Sequence, residues 1–261
     1  MNNEALIRLS FFCGTFVIMA IWEAIAPRRM LIISKPLRWI NNLSLVVLNT
    51  LILRAVLPMA AVGVAAIAKQ QGWGLFNLID LNDGLEIFLS VLLLDLIIYG
   101  QHLMFHTLPI FWRLHKVHHA DLDFDVTTGL RFHPLEILLS MLIKIIAILL
   151  LGTPAIAVLI FETILNSTAL FNHGNVHIPK SGDRWLRYLL VTPDMHRVHH
   201  SVIPQETNSN YGFSLSWWDY LFRTYRANAA AGQQDMQIGL AEYQGTLKVA
   251  RISEMLILPF L

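Results

Sequence analysis

One cysteine, Cys13, occurs in the 261 residues, so the chain can form no internal disulfide, no zinc ribbon and no cysteine-held iron–sulfur cluster. Charge is scarce as well. Asp, Glu, Lys and Arg make up 14% of the residues, against about 25% in an ordinary soluble domain. They nearly cancel, to a net charge of +1, which leaves no basic surface for nucleic acid. Neither H-E-x-x-H nor its inverse is present, so the common zinc-protease arrangements are excluded. No G-x-G-x-x-G loop marks a dinucleotide site.

What the chain has is apolar length. Hydrophobic residues make up 55% of it, and crossing a bilayer takes about 20 of them as helix. Three long runs qualify, at residues 6–26, 42–67 and 85–106. The first resembles a signal peptide in length but lacks a positive start, and Pro27 follows Ala24-Ile25-Ala26 directly, so it reads as a retained membrane helix. A fourth apolar stretch, Leu135 to Phe171, is interrupted by Gly152-Thr153-Pro154. Glycine and proline together break a helix, and the stretch reads as a hairpin of two helices over 135–151 and 155–172. The expected fold is all-α: a polytopic membrane bundle of three spanning helices plus a helical hairpin. Residues 226–244 read as a surface extension, and no internal repeat or low-complexity tract is present beyond the pattern described next.

The chain has 11 histidines, all between residues 102 and 200, and ten form two matching sets. The first is His102 and His106, then His115, His118 and His119. The second is His173 and His177, then His196, His199 and His200. Each reads HxxxH followed by HxxHH. On a helix, residues i and i+4 share a face and i and i+3 nearly do, so each set can aim several imidazoles at one point. Two sets of five predict two metal ions, each held by one copy of the same geometry. All-nitrogen ligands suit iron, zinc, copper or nickel rather than magnesium or calcium. Packing histidines do not repeat such spacing.

Loop charge gives orientation. Arg28, Arg29, Lys35 and Arg38 stand in the 28–38 loop with no acid, whereas residues 69–83 hold Lys69 against Asp80 and Asp83. The positive-inside rule places the first loop in the cytoplasm. Both histidine sets then reach the cytoplasmic face, where the polar segment 178–226 also reads as lying.

At these residues the sequence resembles the fatty acid hydroxylase / sterol desaturase superfamily of membrane-bound di-iron oxygenases, most closely its bacterial sterol desaturase-like branch. The matching stretches are HLMFH at 102–106, LHKVHH at 114–119, LRFHPLE at 130–136, LFNHGNVHIP at 170–179, VTPDMHRVHHS at 191–201, NSNYG at 208–212 and WWDYLFRTY at 217–225. The resemblance covers about residues 85–226 and divides the chain into N-terminal transmembrane helices (1–84), a hydroxylase-like domain (85–226) and a C-terminal extension (227–261).

The resemblance implies a lipid-modifying enzyme of the bacterial inner membrane, a helical bundle with a cytoplasmic histidine-rich helical cap over two metals. It implies two non-haem iron ions, dioxygen as co-substrate, and a lipid substrate, fatty acyl or sterol- and isoprenoid-like, that is hydroxylated or desaturated. Electrons would come from a ferredoxin, cytochrome or reductase. Arg113, Lys116, Arg131, Arg184, Arg187 and Arg197 are either its docking face or ordinary positive-inside residues. Carried over, the iron ligands are the ten paired histidines, with a ligand role and a hydrogen-bonding role both open for His177.

His133, in the R-x-H-P element, reads as hydrogen-bonding or substrate-facing. Metal-bound imidazoles usually donate their other N–H to a carboxylate or carbonyl. Candidates for that partner are Asp95, on one helical stripe with His102, and Glu162 and Asn166, on a stripe leading to His173. Asp194, Asp219 and His133 complete the set; Glu162 has Lys144 as an alternative partner. A membrane metal transporter and a haem-binding electron carrier are the alternative functions.

Overall fold

A computed structural model describes residues 3–57 and 59–261. It is helical throughout, with only isolated β-bridges among the described residues. Five stretches are long and apolar enough to cross a membrane: Glu4–Ile25, Lys35–Asn77, Asp83–Thr107, Pro134–Leu151 and Ala155–Asn172. In chain order the main helices are α1 (Glu4–Ile25), α2 (Lys35–Val56), α3 (Ala61–Gln71), α4 (Asp83–Thr107), α5 (Pro109–His119), α6 (Pro134–Leu151) and α7 (Ala155–Asn172). Shorter helices follow, including α8 (Lys180–Leu186) and α9 (Pro193–His199).

The second apolar run differs from expectation. Instead of one helix over 42–67, it holds the end of α2 and the start of α3, and α2 begins seven residues earlier, at Lys35. The reason is what α2 touches at its start. Arg38 and Asn42 are buried against the loop after α5, where Arg38 pairs with Asp121 and Asp125, and Asn42 donates to Thr127 Oγ1 at 3.0 Å. Polar residues in the first turns of α2 are thus matched by partners in the loop after α5, and helix persists beyond the apolar run.

Local chemistry sets the other boundaries. Asn82 Oδ1 accepts from Leu85 N–H at 2.9 Å, and Asp83 and Glu86 stand in the first turn of α4, where capping and acidic charge both favour a helix start. Pro134 opens α6 and Gly152 closes it with φ 70°, a left-handed cap that glycine adopts without strain. Here glycine also solves a close approach: a Cβ on Gly74 would lie 2.2 Å from the Gly152 nitrogen. The hairpin turn therefore packs directly onto the loop after α3, at the end of the bundle far from the histidines.

That contact orients the bundle. The 69–83 loop and the 152–154 turn lie at one end. At the other, Arg28 binds Asp194, Arg38 binds Asp121, and the His177 N–H donates to Ala26 O at 2.9 Å. The 28–38 loop thus shares its end with the histidine-bearing segments, as loop charge requires. α3, α4, α6 and α7 form the main apolar core around Leu94, Ile98, Ile148, Val158 and Phe161. Ala61, Ala65 and Ala68 let α3 approach closely. The 226–244 stretch is more than a surface extension. Ala229, Met236 and Ile238 join the core beside Phe124 and Val198, and farther on Val249, Met255 and Leu258 pack with Leu45 and Val117.

Candidate metal centre

Four elements deliver the histidines. The last two turns of α4 carry His102 and His106, α5 ends on His115, His118 and His119, His173 caps α7, and α9 carries His196 and His199 with His200 at its cap. They gather into two clusters. In one, ring nitrogens of His102, His106, His115, His119 and His199 all lie within 4.8 Å of one another; in the other, so do those of His118, His173, His196 and His200.

These are not the two sets read from spacing. His118 and His199 have changed places, because neighbours on a helix project about 100° apart. On α5, His115 and His119 share a face and His118 turns to the other cluster. On α9, His196 and His200 share a face and His199 turns back. Each HxxHH element therefore serves both clusters. His177 joins neither: it is exposed. An HxxxH pair needs helix through both residues, and α7 ends at Asn172, so His173 and His177 share no face. Replacing His177 by alanine is expected to leave bound metal and turnover near wild-type, measured by elemental analysis and product formation.

The donor atoms fit metal ions. His102 Nδ1–H donates to Tyr211 O at 2.8 Å, and His115 Nδ1–H donates to Glu136 Oε1 at 2.6 Å. Both Nε2 atoms then carry lone pairs, yet they face each other at 3.1 Å. Two lone pairs at that distance repel unless a cation stands between them. His199 donates to Ser209 O at 2.7 Å, and His173 to Ala169 O at 2.8 Å. Buried nitrogens of His106, His119, His199 and His200 have no protein partner, a cost of about 1–3 kcal/mol for each such group. Burial drives His115, His118, His119, His196, His199 and His200 well below the ordinary imidazole pKa, and His173 down to about 3. Neutral imidazoles with inward lone pairs are the ligand form.

A family model for fatty acid hydroxylase matches residues 87–224. The chain belongs to the fatty acid hydroxylase family. An ornithine lipid hydroxylase of Rhizobium tropici is 29% identical over 153 residues, 59% of this chain and 45% of the relative. An alkylglycerol monooxygenase of Xenopus tropicalis is 28% identical over 160 residues, 59% of this chain and 34% of the relative. A very-long-chain aldehyde decarbonylase of Oryza sativa is 28% identical over 144 residues, 54% of this chain and 53% of the relative. The chain thus spans about a third to a half of these relatives' lengths. No solved structure matches.

None of the carboxylates singled out in the sequence touches a histidine. Asp95 accepts from Trp218 Nε1 at 2.8 Å and from Leu215 N–H at 3.2 Å. Asp219 accepts from the N–H groups of Tyr211 and Gly212 at 2.8 and 2.9 Å, and burial raises its carboxyl to about 6. Both acids act one step removed, by fixing the 211–218 segment whose Tyr211 carbonyl holds His102. Glu162 pairs with Lys144 and Arg8. Asp194 pairs with Arg28 and Arg197, and Asn166 is exposed. His133 caps α6, its Nδ1 accepting from Leu135 N–H at 3.2 Å. Nor do the six basic residues form one docking face: Lys116, Arg131, Arg187 and Arg197 are buried.

The carboxylate that does bind one of the clustered histidines is Glu136, through His115 Nδ1; sequence reasoning passed it over although it closes the LRFHPLE stretch. Glu136→Gln keeps the shape but replaces the accepting charge. Loss of such a partner typically costs about 10–100-fold in metal affinity or activity, and a drop of that size is expected in both, with the protein still inserted. Metal titration alongside turnover would reveal it.

Proposed function

We propose that this chain is a membrane-embedded di-iron oxygenase that inserts oxygen into, or desaturates, the hydrocarbon of a lipid. The observation that carries this reading is the pair of buried histidine clusters at one end of an apolar bundle, each with one ring nitrogen per histidine gathered within 4.8 Å of the others. One iron would be held by His102, His106, His115, His119 and His199, the other by His118, His173, His196 and His200. When bound, the two ions supply activation of dioxygen with two electrons from a separate donor, sufficient to attack an unactivated C–H bond.

The chain's own residues position and dry the site. Tyr211 O, Ser209 O, Ala169 O and Glu136 accept the outer ring protons of His102, His199, His173 and His115, so that these four imidazoles each keep one tautomer and one direction. On the bundle side, two rings border both clusters. Phe132 stacks on His118 at 4.6 Å and lies 6.3 Å from His115, and Phe213 lies 5.4 Å from His102 and 6.3 Å from His196. Phe213 also packs on the core of α3, α4, α6 and α7. A hydrocarbon chain rising from the membrane meets these rings, which exclude water from the reacting carbon.

Two of the three relatives named above are a hydroxylase and a monooxygenase, which favours hydroxylation over desaturation. The positive 28–38 loop supports a site on the cytoplasmic face; our reading is a bacterial inner membrane, with a ferredoxin, cytochrome or reductase supplying electrons there. The purified protein is expected to hold close to two iron ions per chain. Lipid extracts of cells expressing it should contain a lipid with one added oxygen, by mass spectrometry, that His-to-Ala variants do not make. Protein without bound metal would overturn this reading.

A further inference from the structure

The two clusters differ in how they meet the polar face of the molecule. A cavity of about 260 Å³, lined among others by His106, Trp112, Val202, Thr207, Asn208 and Leu240, borders the first cluster at His106. His106 is the one clustered histidine that is only half-buried. Its Nδ1 lies 3.3 Å from the exposed Asn208 Oδ1, while its Nε2 is buried and unpartnered. Trp112 stands beside His106 and His119, at 5.0 and 5.3 Å between ring centroids. The second cluster is more fully enclosed. His118, His173, His196 and His200 are at most 1% exposed. Phe124, itself fully buried, covers His173 and His200 at 5.5 and 5.1 Å, with the Arg197 guanidinium 4.9 Å above its ring.

Size and lining decide what the cavity takes. Sites for drug-sized ligands run to about 300–1,000 Å³, and this one, at about 260 Å³, lies below that range. No charged side chain lines it, so it offers no counter-ion for a phosphate or carboxylate headgroup. There is room for molecules of two or three heavy atoms, dioxygen among them.

We propose that this cavity is a small-ligand passage to the first cluster. An ion held by His102, His106, His115, His119 and His199 then takes exogenous ligands from the polar face, and an ion in the second cluster does not. The inference rests on the di-metal reading but goes beyond it, because it makes the two ions chemically unequal and assigns the open one to the cluster that contains His106.

Azide tests it, being small, visible when bound to ferric ion, and too polar to arrive through lipid. Metal content is measured first, on the intact chain. Oxidised protein holding two irons should bind one azide per chain. Val202→Trp places an indole in the cavity and should slow azide association by about tenfold or more, since close-packed surroundings leave little room for it. Leu240→Ala widens the passage and should speed association, which keeps the test decisive if the tryptophan variant does not fold. Two azides bound per chain, or rates in either folded variant equal to the parent's, would overturn the passage. Absence of iron in the parent would overturn the di-metal reading instead, and the elemental analysis separates the two failures.

Discussion

Replacing His118 by alanine is expected to abolish turnover and to lower bound metal from two ions per chain to about one, because a site stripped of one of four imidazoles no longer holds its ion firmly. The neighbouring change, His119→Ala, should also remove about one ion, but the other one. Double variants distinguish the clusters. His118→Ala with His173→Ala affects a single cluster and should fall little below one ion per chain. His118→Ala with His119→Ala affects both and should leave almost none. Residues of one unit are non-additive, whereas those of independent sites add. Elemental analysis of the four proteins reads this directly. Equal metal in the two double variants would show that His118 and His119 serve the same ion and would sink the exchanged arrangement.

The largest expected stability effect lies outside the histidines. Arg38 is fully buried and pairs with Asp121 and Asp125, and its Nη2 also donates to Thr128 Oγ1 at 3.0 Å. Asp123, between those acids, accepts from the N–H groups of Ile32 and Ile33 at 2.8 and 2.6 Å. Together these contacts tie the start of α2 and the loop before it to the segment that follows His119. Arg38→Met would strand two carboxylates in the interior, and removing one side of a buried pair costs about 3–5 kcal/mol. The expected outcome is a large fall in thermal midpoint in detergent and loss of metal with it. Adding Asp121→Asn and Asp125→Asn should recover much of the midpoint, since neutral groups of the same size carry no buried charge. A variant Arg38→Met as stable as wild-type would show that the cluster is not a clamp.

Helix placement was readable because its causes are local. Apolar length, the Gly152-Thr153-Pro154 break and the positive 28–38 loop act within a few residues, and they brought both HxxHH elements to one end of the bundle. The α2 start was less readable, since Arg38 and Asn42 are helical there because of partners more than 80 residues away. Asp95 shows the same limit from the other side. Its stripe with His102 is real, but an acid's partner is set by what packs against the helix, and Trp218 occupies that position.

The sequence by itself determined that ten histidines would be presented at one end of a helical membrane bundle, since hydropathy sets the spans and helical periodicity sets which histidines share a face. Only the tertiary structure decided which histidines meet. His118 and His119 lie next to each other in the chain and point to different clusters, and so do His199 and His200. A step of about 100° around a helix axis separates such neighbours, so the cluster each one joins depends on where the opposing helix lies. His177 dropped out because α7 stops at Asn172, and Glu136 came in because the start of α6 packs beside the end of α5. Those are relations between elements, set by packing across the whole bundle.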